Sequence, residues 1–265
     1  MAISASGTAY DLTGPEGAPV VALIHGLGLT RQSTWRAIAP ILAQRFRVLS
    51  YDLCGHGQSA LPAEGSDLTV LSDQLIALID ELAIARAALI GFSLGGMINR
   101  RCAMDHPARV SSLVVLNSPH DRGEALQQQV EAAARDAGAG GPEATIDAAL
   151  ARWFTEPFRR DHPEVVAEIR RVVLANDPAN YALHRLVLAE GVSDLIRPRP
   201  PIRHPSLIMT SEYDSGSTPD MARTIASEIA SAQTVIVPGL KHLGLIEQPE
   251  QFTAPILEFL TLRAG

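Results

Sequence analysis

The segment Gly91-Phe92-Ser93-Leu94-Gly95 carries the clearest chemistry in the chain. A G-x-S-x-G run presents a serine hydroxyl as a nucleophile when it forms a sharp turn between a strand and a helix. Its flanks fit that context: Ala88–Ile90 is a short apolar run before it, and Met97–Met104 reads as a helix after it. In so tight a turn, side chains two residues either side of the serine would collide. Gly91 and Gly95 remove them, and Gly96 lets the helix lie close to the sheet. A serine hydroxyl is a weak nucleophile until a base takes its proton, and the base needs an acid to orient it. The chain order that goes with this turn is serine, then acid, then histidine. Asp214 follows the apolar run Leu207–Met209, and His242, the only histidine after Asp214, follows Val235–Val237. Both lie just past a strand end, where open α/β sheets carry their sites. Glu212 is the reserve acid, and Asp220 beside Pro219 opens the next helix.

Attack on a carbonyl creates an oxyanion that needs backbone N–H donors. The amide of Leu94, directly after Ser93, is one. The amide of Leu27, in His25-Gly26-Leu27-Gly28 after the run Val20–Ile24, is the other. At both positions the side chain is incidental. His25 is assigned to structure, holding its loop through hydrogen bonds. Asp52-Leu53-Cys54-Gly55-His56-Gly57-Gln58-Ser59 reads as a rigid turn beside the site.

The elements that must position these residues are legible in the hydrophobic pattern. Val20–Ile24, Val48–Tyr51, Ala88–Ile90, Leu113–Leu116, Leu207–Met209 and Val235–Val237 are near-continuous apolar runs, as expected of parallel strands covered on both faces. Leu71–Leu82 and Met97–Met104 are crossover helices, and Ile3–Ala5 with Thr8–Leu12 forms an edge hairpin around Ser6-Gly7. The alternation predicts an α/β doubly wound sheet. It breaks after Asn117. From Pro119 to Pro201 the expectation is helices only, over Glu124–Ala137, Pro142–Phe154, Pro163–Ala175 and Pro178–Glu190. Proline suits a first helical turn and Asp177 suits an N-cap. The domain reading is a core of residues 1–118 and 202–265 with a helical cap of 119–201 over the ligand crevice, containing a flexible loop at Gly138–Gly141.

Composition narrows the function. The 265 residues carry a net charge of −7, which argues against nucleic-acid and anionic-membrane partners. Lys241 is the only lysine, so a phosphate-binding GK[ST] loop and a Schiff-base lysine elsewhere are excluded. Two cysteines without a CxxC or Cys/His cluster imply reduced thiols and no zinc or other metal. Residues 1–12 lack a basic and apolar leader pattern, so the expected location is cytoplasmic.

Together these motifs resemble the α/β-hydrolase family: His25-Gly26-Leu27-Gly28, the Asp52–Ser59 turn, Gly91–Gly96, Asp214 and His242. The resemblance implies an α/β-hydrolase fold, a mostly parallel central sheet flanked by helices, with a helical cap insertion. Within the insertion, Arg152-Trp153-Phe154-Thr155, Phe158-Arg159, His162-Pro163, Asp177-Pro178 and Tyr181 look like the cap of 3-oxoadipate enol-lactonases, and Gly95-Gly96-Met97-Ile98 is similar too. The chain departs from those enzymes at Ser211, at Cys54, and in having three residues between Asp214 and Thr218-Pro219. The resemblance implies a cofactor-free serine hydrolase of a small ester or lactone, most closely a carboxylate-bearing enol-lactone from aromatic-compound degradation. Ser93, Asp214 and His242 would form its triad, and Arg152 and Trp153 would bind substrate. A carbon–carbon bond hydrolase, a general carboxylesterase or perhydrolase, and a small-molecule receptor of the same fold stay open, as does the oligomeric state.

Overall fold

The protein is described by a computed structural model covering residues 1–62, 65–137 and 141–263. Its strands are β1 (Ala2–Ile3), β2 (Ala9–Thr13), β3 (Val20–Ile24), β4 (Arg47–Tyr51), β5 (Ala87–Phe92), β6 (Val110–Leu116), β7 (Ser206–Ser211) and β8 (Ala232–Val237). They form one eight-stranded sheet in the order β1-β2-β4-β3-β5-β6-β7-β8. β1 and β2 pair antiparallel, as do β2 and β4; every later pairing is parallel.

The helices in chain order are α1 (Arg31–Trp35), α2 (Ala39–Leu42), α3 (Leu68–Glu81), α4 (Leu94–Asp105), α5 (Glu124–Ala137), α6 (Ile146–Trp153), α7 (Glu156–Asp161), α8 (Pro163–Leu174), α9 (Pro178–Glu190), α10 (Pro219–Ser227), α11 (Gly244–Glu247) and α12 (Pro249–Thr261). Successive strand residues point to opposite faces. Val21, Leu23, Ile90, Phe92, Val114, Leu116 and Met209 pack with Trp35, Leu42, Phe252, Ile256 and Phe259 on one face, under α1, α2 and α12. Ala22, Ile24, Leu89, Leu113, Val115 and Ile208 pack with Leu75, Ile79, Ile98 and Ile225 on the other, under α3, α4 and α10. Burial on both faces explains why these strands read as unbroken apolar runs.

Five helices, α5–α9, lie between β6 and β7. The helix expected from Pro142 begins only at Ile146, because Thr145, at φ −127° and ψ −9°, is not helical. α7 was not expected. Its six residues are too few to show a periodicity, and Thr155 caps it by accepting from the Phe158 amide. Asp177 caps α9 through the Asn180 amide, as its sequence predicts. Of the expected loop Gly138–Gly141, all but Gly141 lies outside the described residues.

The inserted helices are bonded to loops at the carboxyl edge of the sheet. Asn176 Nδ2 donates to Gly28 O and Asn180 Nδ2 donates to Gly55 O, each at 2.9 Å. Lys241 Nζ donates to Ala151 O at 2.8 Å, and the Leu243 amide donates to Trp153 O at 2.9 Å. These carbonyls sit in the last turn of α6, where a helix leaves acceptors unpaired and favours a cation.

Three buried imidazoles run between the same loops. His25 and His56 are 5.3 Å apart by ring centroid, and His56 and His184 are 4.8 Å apart. His25 Nδ1 donates to Gly26 O at 2.8 Å while its Nε2 accepts from the Leu53 amide at 2.9 Å. His56 Nδ1 donates to Cys54 O at 3.2 Å and its Nε2 accepts from the Gly28 amide at 3.0 Å. His184 Nδ1 donates to Asn180 O at 2.9 Å and its Nε2 shares a hydrogen bond with Ser66 Oγ at 3.4 Å. The amides that donate to His25 and His56 require both of those rings to be neutral. Burial lowers all three pKa values; the Asp52 charge opposes this at His25, and the neighbouring rings reinforce it at His56.

A lowered folded-state pKa means that the unfolded chain binds protons first. The stability from these groups is complete above about pH 6.5 and is lost as pH falls toward the folded-state values. Unfolding free energy from urea titrations should therefore drop between pH 7.5 and 5, by up to ~1.4 kcal/mol per pH unit for each histidine. His56→Asn should flatten that slope by one proton; a slope that does not change would refute the neutral assignment of His56.

Candidate active site

Ser93 sits between β5 and α4 at φ 55° and ψ −113°, a conformation L-residues rarely adopt. Such strain costs about 1–3 kcal/mol and persists only where its surroundings hold it. The glycines show what holds it. A Cβ at Gly91 would lie 2.1 Å from Gly95 O, and one at Gly95 would lie 2.2 Å from Ile24 O on β3. A Cβ at Gly96 would lie 2.6 Å from Ser118 Cβ. The start of α4 is thus pressed against the ends of β3 and β5 with no room for side chains. The collision at Gly91 is with the Gly95 backbone itself, and the one at Gly95 is with the neighbouring strand.

The turn aims Ser93 Oγ at His242, and Nε2 accepts from it at 3.2 Å. On the other side of the ring, His242 Nδ1 donates to Asp214 Oδ2 at 2.6 Å. Three loops, after β5, β7 and β8, meet in this line. Asp214 is buried, and each of its oxygens is engaged. Oδ1 accepts from the Gly216 and Ser217 amides at 2.9 and 3.0 Å, and Oδ2 also accepts from Asn117 Nδ2 at 2.9 Å. Burial alone would raise the carboxyl, but the His242 charge and the donors from His242, Asn117 and Gly216 outweigh it and hold it below its ordinary value. Glu212, the reserve acid, is directed elsewhere: its Oε2 accepts from the Gly239 amide at 2.9 Å.

Asn117 was not singled out in the sequence. It is the first residue after β6, at φ 45°, and it reaches across to the loop after β7, the strand beside β6. The one signal available was a polar side chain at the end of the run Leu113–Leu116, next to the strand that carries the acid.

The backbone leaves a pair of amides unpaired beside Ser93. The Ser93 N–H itself donates to Leu116 O at 2.8 Å, continuing the β5–β6 ladder. Among the described residues the Leu27 and Leu94 amides make no hydrogen bond. Leu94 N–H is a free donor of the first turn of α4. The orientation of Leu27 N–H follows from its own peptide plane. Gly26 O accepts from His25 Nδ1 at 2.8 Å and from the Leu29 amide at 3.3 Å. In a trans peptide the N–H points opposite to the C=O, so pinning Gly26 O turns Leu27 N–H the other way. A Cβ at Gly26 would lie 3.1 Å from Ser93 Cβ, which shows how closely this loop approaches the serine.

Ser93 and His242 open into a cavity of about 470 Å³. Leu27, Leu29, Phe92, Val130, Leu188 and Leu243 supply much of its apolar wall. Arg152 and Trp153 both line it, with Arg152 exposed and the Trp153 ring 6.4 Å from the His242 ring. Phe154 faces the core instead, stacked on Phe158 at 5.2 Å. Arg122 and Arg185 line the same cavity, and the sequence reading did not single them out. Neither cysteine offers a thiolate: burial pushes Cys54 up to about 11 and Cys102 up to about 12. Among the described residues no three His, Cys, Asp or Glu side chains are grouped to hold a metal ion, and no helix is long and apolar enough to cross a membrane.

The chain is 29% identical over 244 residues to 3-oxoadipate enol-lactonase 2 of Acinetobacter baylyi, covering 92% of this chain and 89% of that one. It is 31% identical over 262 residues to the dihydrolipoyllysine-residue acetyltransferase component of the acetoin cleaving system of Pseudomonas putida. That match covers 95% of this chain but only 65% of the longer relative. The crystal structure of the enol-lactonase from Burkholderia xenovorans LB400 superposes with a TM-score of 0.86 at 31% identity, over 96% of each chain. Residues 21–254, from β3 into α12, match the Alpha/beta hydrolase family, and it is to this family that the chain belongs.

Proposed function

We propose that this hydrolase cleaves a small ester or lactone through an acyl-enzyme on Ser93, with 3-oxoadipate enol-lactone as its specific substrate. The observation that carries the reading is the line of hydrogen bonds from Asp214 through His242 to Ser93 Oγ, opening into an apolar-walled cavity. The Nδ1–H bond to Asp214 fixes the tautomer that leaves Nε2 as acceptor. His242 takes the Ser93 proton as Oγ attacks the carbonyl carbon, and the amides of Leu27 and Leu94 receive the oxyanion. Each such donor is worth about 3–4 kcal/mol in the transition state. The carbonyl re-forms, the leaving oxygen departs, and His242 Nε2–H protonates it as an enol or alcohol. Water then attacks the acyl carbon with His242 as base, and the proton returns to Ser93 Oγ as the acid is released. Asp214 keeps the imidazole oriented and stabilises its cation.

Residues 119–201 act as the cap, with Arg152 and Trp153 facing the substrate. The lactone is supported by the enol-lactonase relatives and by Arg152, whose fork can hold a carboxylate through both oxygens. No cofactor takes part in these steps. A reducing, cytoplasmic setting is supported by the free thiols Cys54 and Cys102. A small molecule, not nucleic acid or a lipid surface, suits a net charge of −7.

Steady-state kinetics test the reading directly. The lactone should give kcat/KM above ~10⁴ M⁻¹s⁻¹ and far exceed a p-nitrophenyl ester. Preference for the simple ester would overturn the lactone and keep the serine mechanism. Ser93→Ala should lose at least ~10³-fold in kcat and all labelling by a fluorophosphonate, and Asp214→Asn should lose roughly 10³–10⁴-fold. Labelling that persists in Ser93→Ala would place the nucleophile elsewhere.

Asn117→Ala gives a finer check. Losing one donor to a carboxylate removes about 1.5–3 kcal/mol of charge stabilisation and makes the Asp214–His242 pair more basic. The acid limb of the kcat/KM profile should move to higher pH, with kcat/KM down roughly tenfold near neutrality. An unshifted profile would show that Asn117 only packs.

A further inference from the structure

The turn that carries the Leu27 amide is held bond by bond. Residues 26–29 close on themselves where the Leu29 amide donates to Gly26 O at 3.3 Å. Gly28, third in the turn, has φ 73°, as the third residue of a type II turn must. Three side chains fix the peptide planes of this turn. His25 Nδ1 donates to Gly26 O at 2.8 Å, His56 Nε2 accepts from the Gly28 amide at 3.0 Å, and Asn176 Nδ2 donates to Gly28 O at 2.9 Å. The two histidines belong to loops of the sheet itself. Asn176 comes from the insertion, between α8 and α9.

Asn176 is buried and its amide is itself fixed. Nδ2 also donates to Val172 O at 3.1 Å and to Val173 O at 2.9 Å, both in the last turn of α8. Three carbonyl oxygens around the nitrogen forbid the reversed amide, which would present Oδ1 to acceptors. One N–H is kept by α8 and the other reaches Gly28 O. Gly28 O and the Leu29 N–H are the two ends of one planar peptide unit. The Asn176 bond at one end therefore sets the direction of the N–H at the other, which bonds Gly26 O. Gly26 O belongs to the peptide unit whose N–H is that of Leu27. Two peptide units thus join Asn176 to the oxyanion donor. The bonds are needed because Gly26 and Gly28 lack the Cβ that limits backbone rotation elsewhere. A donor stabilises an oxyanion only from about 2.7–3.1 Å, so a small rotation of this turn is costly to the reaction.

We propose that Asn176 is a positioning residue for catalysis, holding the 26–29 turn so that the Leu27 N–H stays aimed at the reacting carbonyl oxygen. The inserted helices then contribute to transition-state stabilisation as well as to the cavity wall. The inference rests on the Ser93 hydrolase reading and holds for any ester or lactone that this reading admits.

Three variants separate positioning from packing. Asn176→Ala removes all three bonds. Asn176→Ser keeps a hydroxyl that can bond back to Val172 or Val173 O, but it is too short to hold Gly28 O as well. Asn180→Ala removes a bond of equal length from the same insertion, Asn180 Nδ2 to Gly55 O, outside the turn. On p-nitrophenyl butyrate, both Asn176 variants should lose about ten- to a hundredfold in kcat, with KM changed less than about threefold. Butylboronic acid bonds through boron to Ser93 Oγ while the Ser93 proton passes to His242, giving a tetrahedral anion. It should bind at least about tenfold more weakly to both Asn176 variants, whereas planar butyrate should bind as to wild type. The acid limb of the pH profile should stay in place, because Asp214 and His242 are untouched. Asn180→Ala should keep the wild-type ratio of boronic-acid to butyrate affinity. Unchanged boronic-acid binding in a folded Asn176 variant, an equal loss in Asn180→Ala, or a moved acid limb would each overturn the inference. Should Asn176→Ala not fold, Asn176→Ser decides alone. Fluorophosphonate labelling of the wild-type protein reports on Ser93 separately: its absence would sink the hydrolase reading, whereas labelling with unaffected variants would sink only the role of Asn176.

Discussion

The contact on which the rest of the site depends is the approach of the α4 N-terminus to the ends of β3 and β5. Gly95 meets the Ile24 carbonyl and Gly91 meets Gly95 at distances that no Cβ could share. This closeness forces Ser93 into its strained conformation, and its consequences follow from hydrogen-bond accounting. The Ser93 N–H remains in the β5–β6 ladder through Leu116 O, so it is not free to receive charge. The next amide, Leu94, begins the helix and is free. A single backbone constraint therefore exposes the hydroxyl, withdraws one donor and supplies another.

The inserted helices belong to the assembly of the site as much as to its covering. The loop that carries His242 is held at Lys241 and Leu243 by the last carbonyls of α6, and Thr155 at the start of α7 binds Glu247 in α11. The loop that carries Leu27 is held at Gly28 by Asn176 and by Tyr181, whose ring would touch a Cβ there at 2.7 Å. A rigid swing of α6 through α9 away from the sheet would break these bonds and release both loops. Any opening that preserves the geometry at Ser93 must therefore spare α6 and the start of α9. The only lysine in the chain has its role here, at a helix C-terminus, where it fixes the residue that precedes His242.

Legibility followed the range of the interaction. The parallel strands, the serine turn, and the order of Ser93, Asp214 and His242 were readable because each is a local pattern: a run, a glycine spacing, a residue at a strand end. The second carboxylate reserve, Glu212, could be separated from Asp214 only by where the loop turns its side chain. Asn117, Arg122 and Arg185 were missed for a related reason. Asn117 acts on a residue 97 positions later, through the adjacency of β6 and β7, which sequence spacing does not encode. Arg122 and Arg185 look like ordinary surface arginines until α5 and α9 fold around one cavity. The late start of α6 was hidden because proline at a first turn is a permissive signal, and only the backbone at Thr145 shows where the helix begins.

Histidine illustrates how the chain separates structure from chemistry using one residue type. His25 and His56 each have one nitrogen donating to a carbonyl and the other accepting from a backbone amide, within loops or between them. Protonation would remove an acceptor at both, so burial and bonding together keep these two neutral and inert. His242 has the same bond order on one side, Nδ1–H to a carboxylate, but its other nitrogen meets a hydroxyl that can give up its proton. The difference is made by the partner, since a backbone amide cannot act as a nucleophile and Ser93 can. The same distinction marks the Leu27 and Leu94 amides, the Tyr181 hydroxyl and the Arg152 guanidinium. Each is a polar group at the cavity for which the described protein supplies no hydrogen-bond partner, and a substrate is what would complete them.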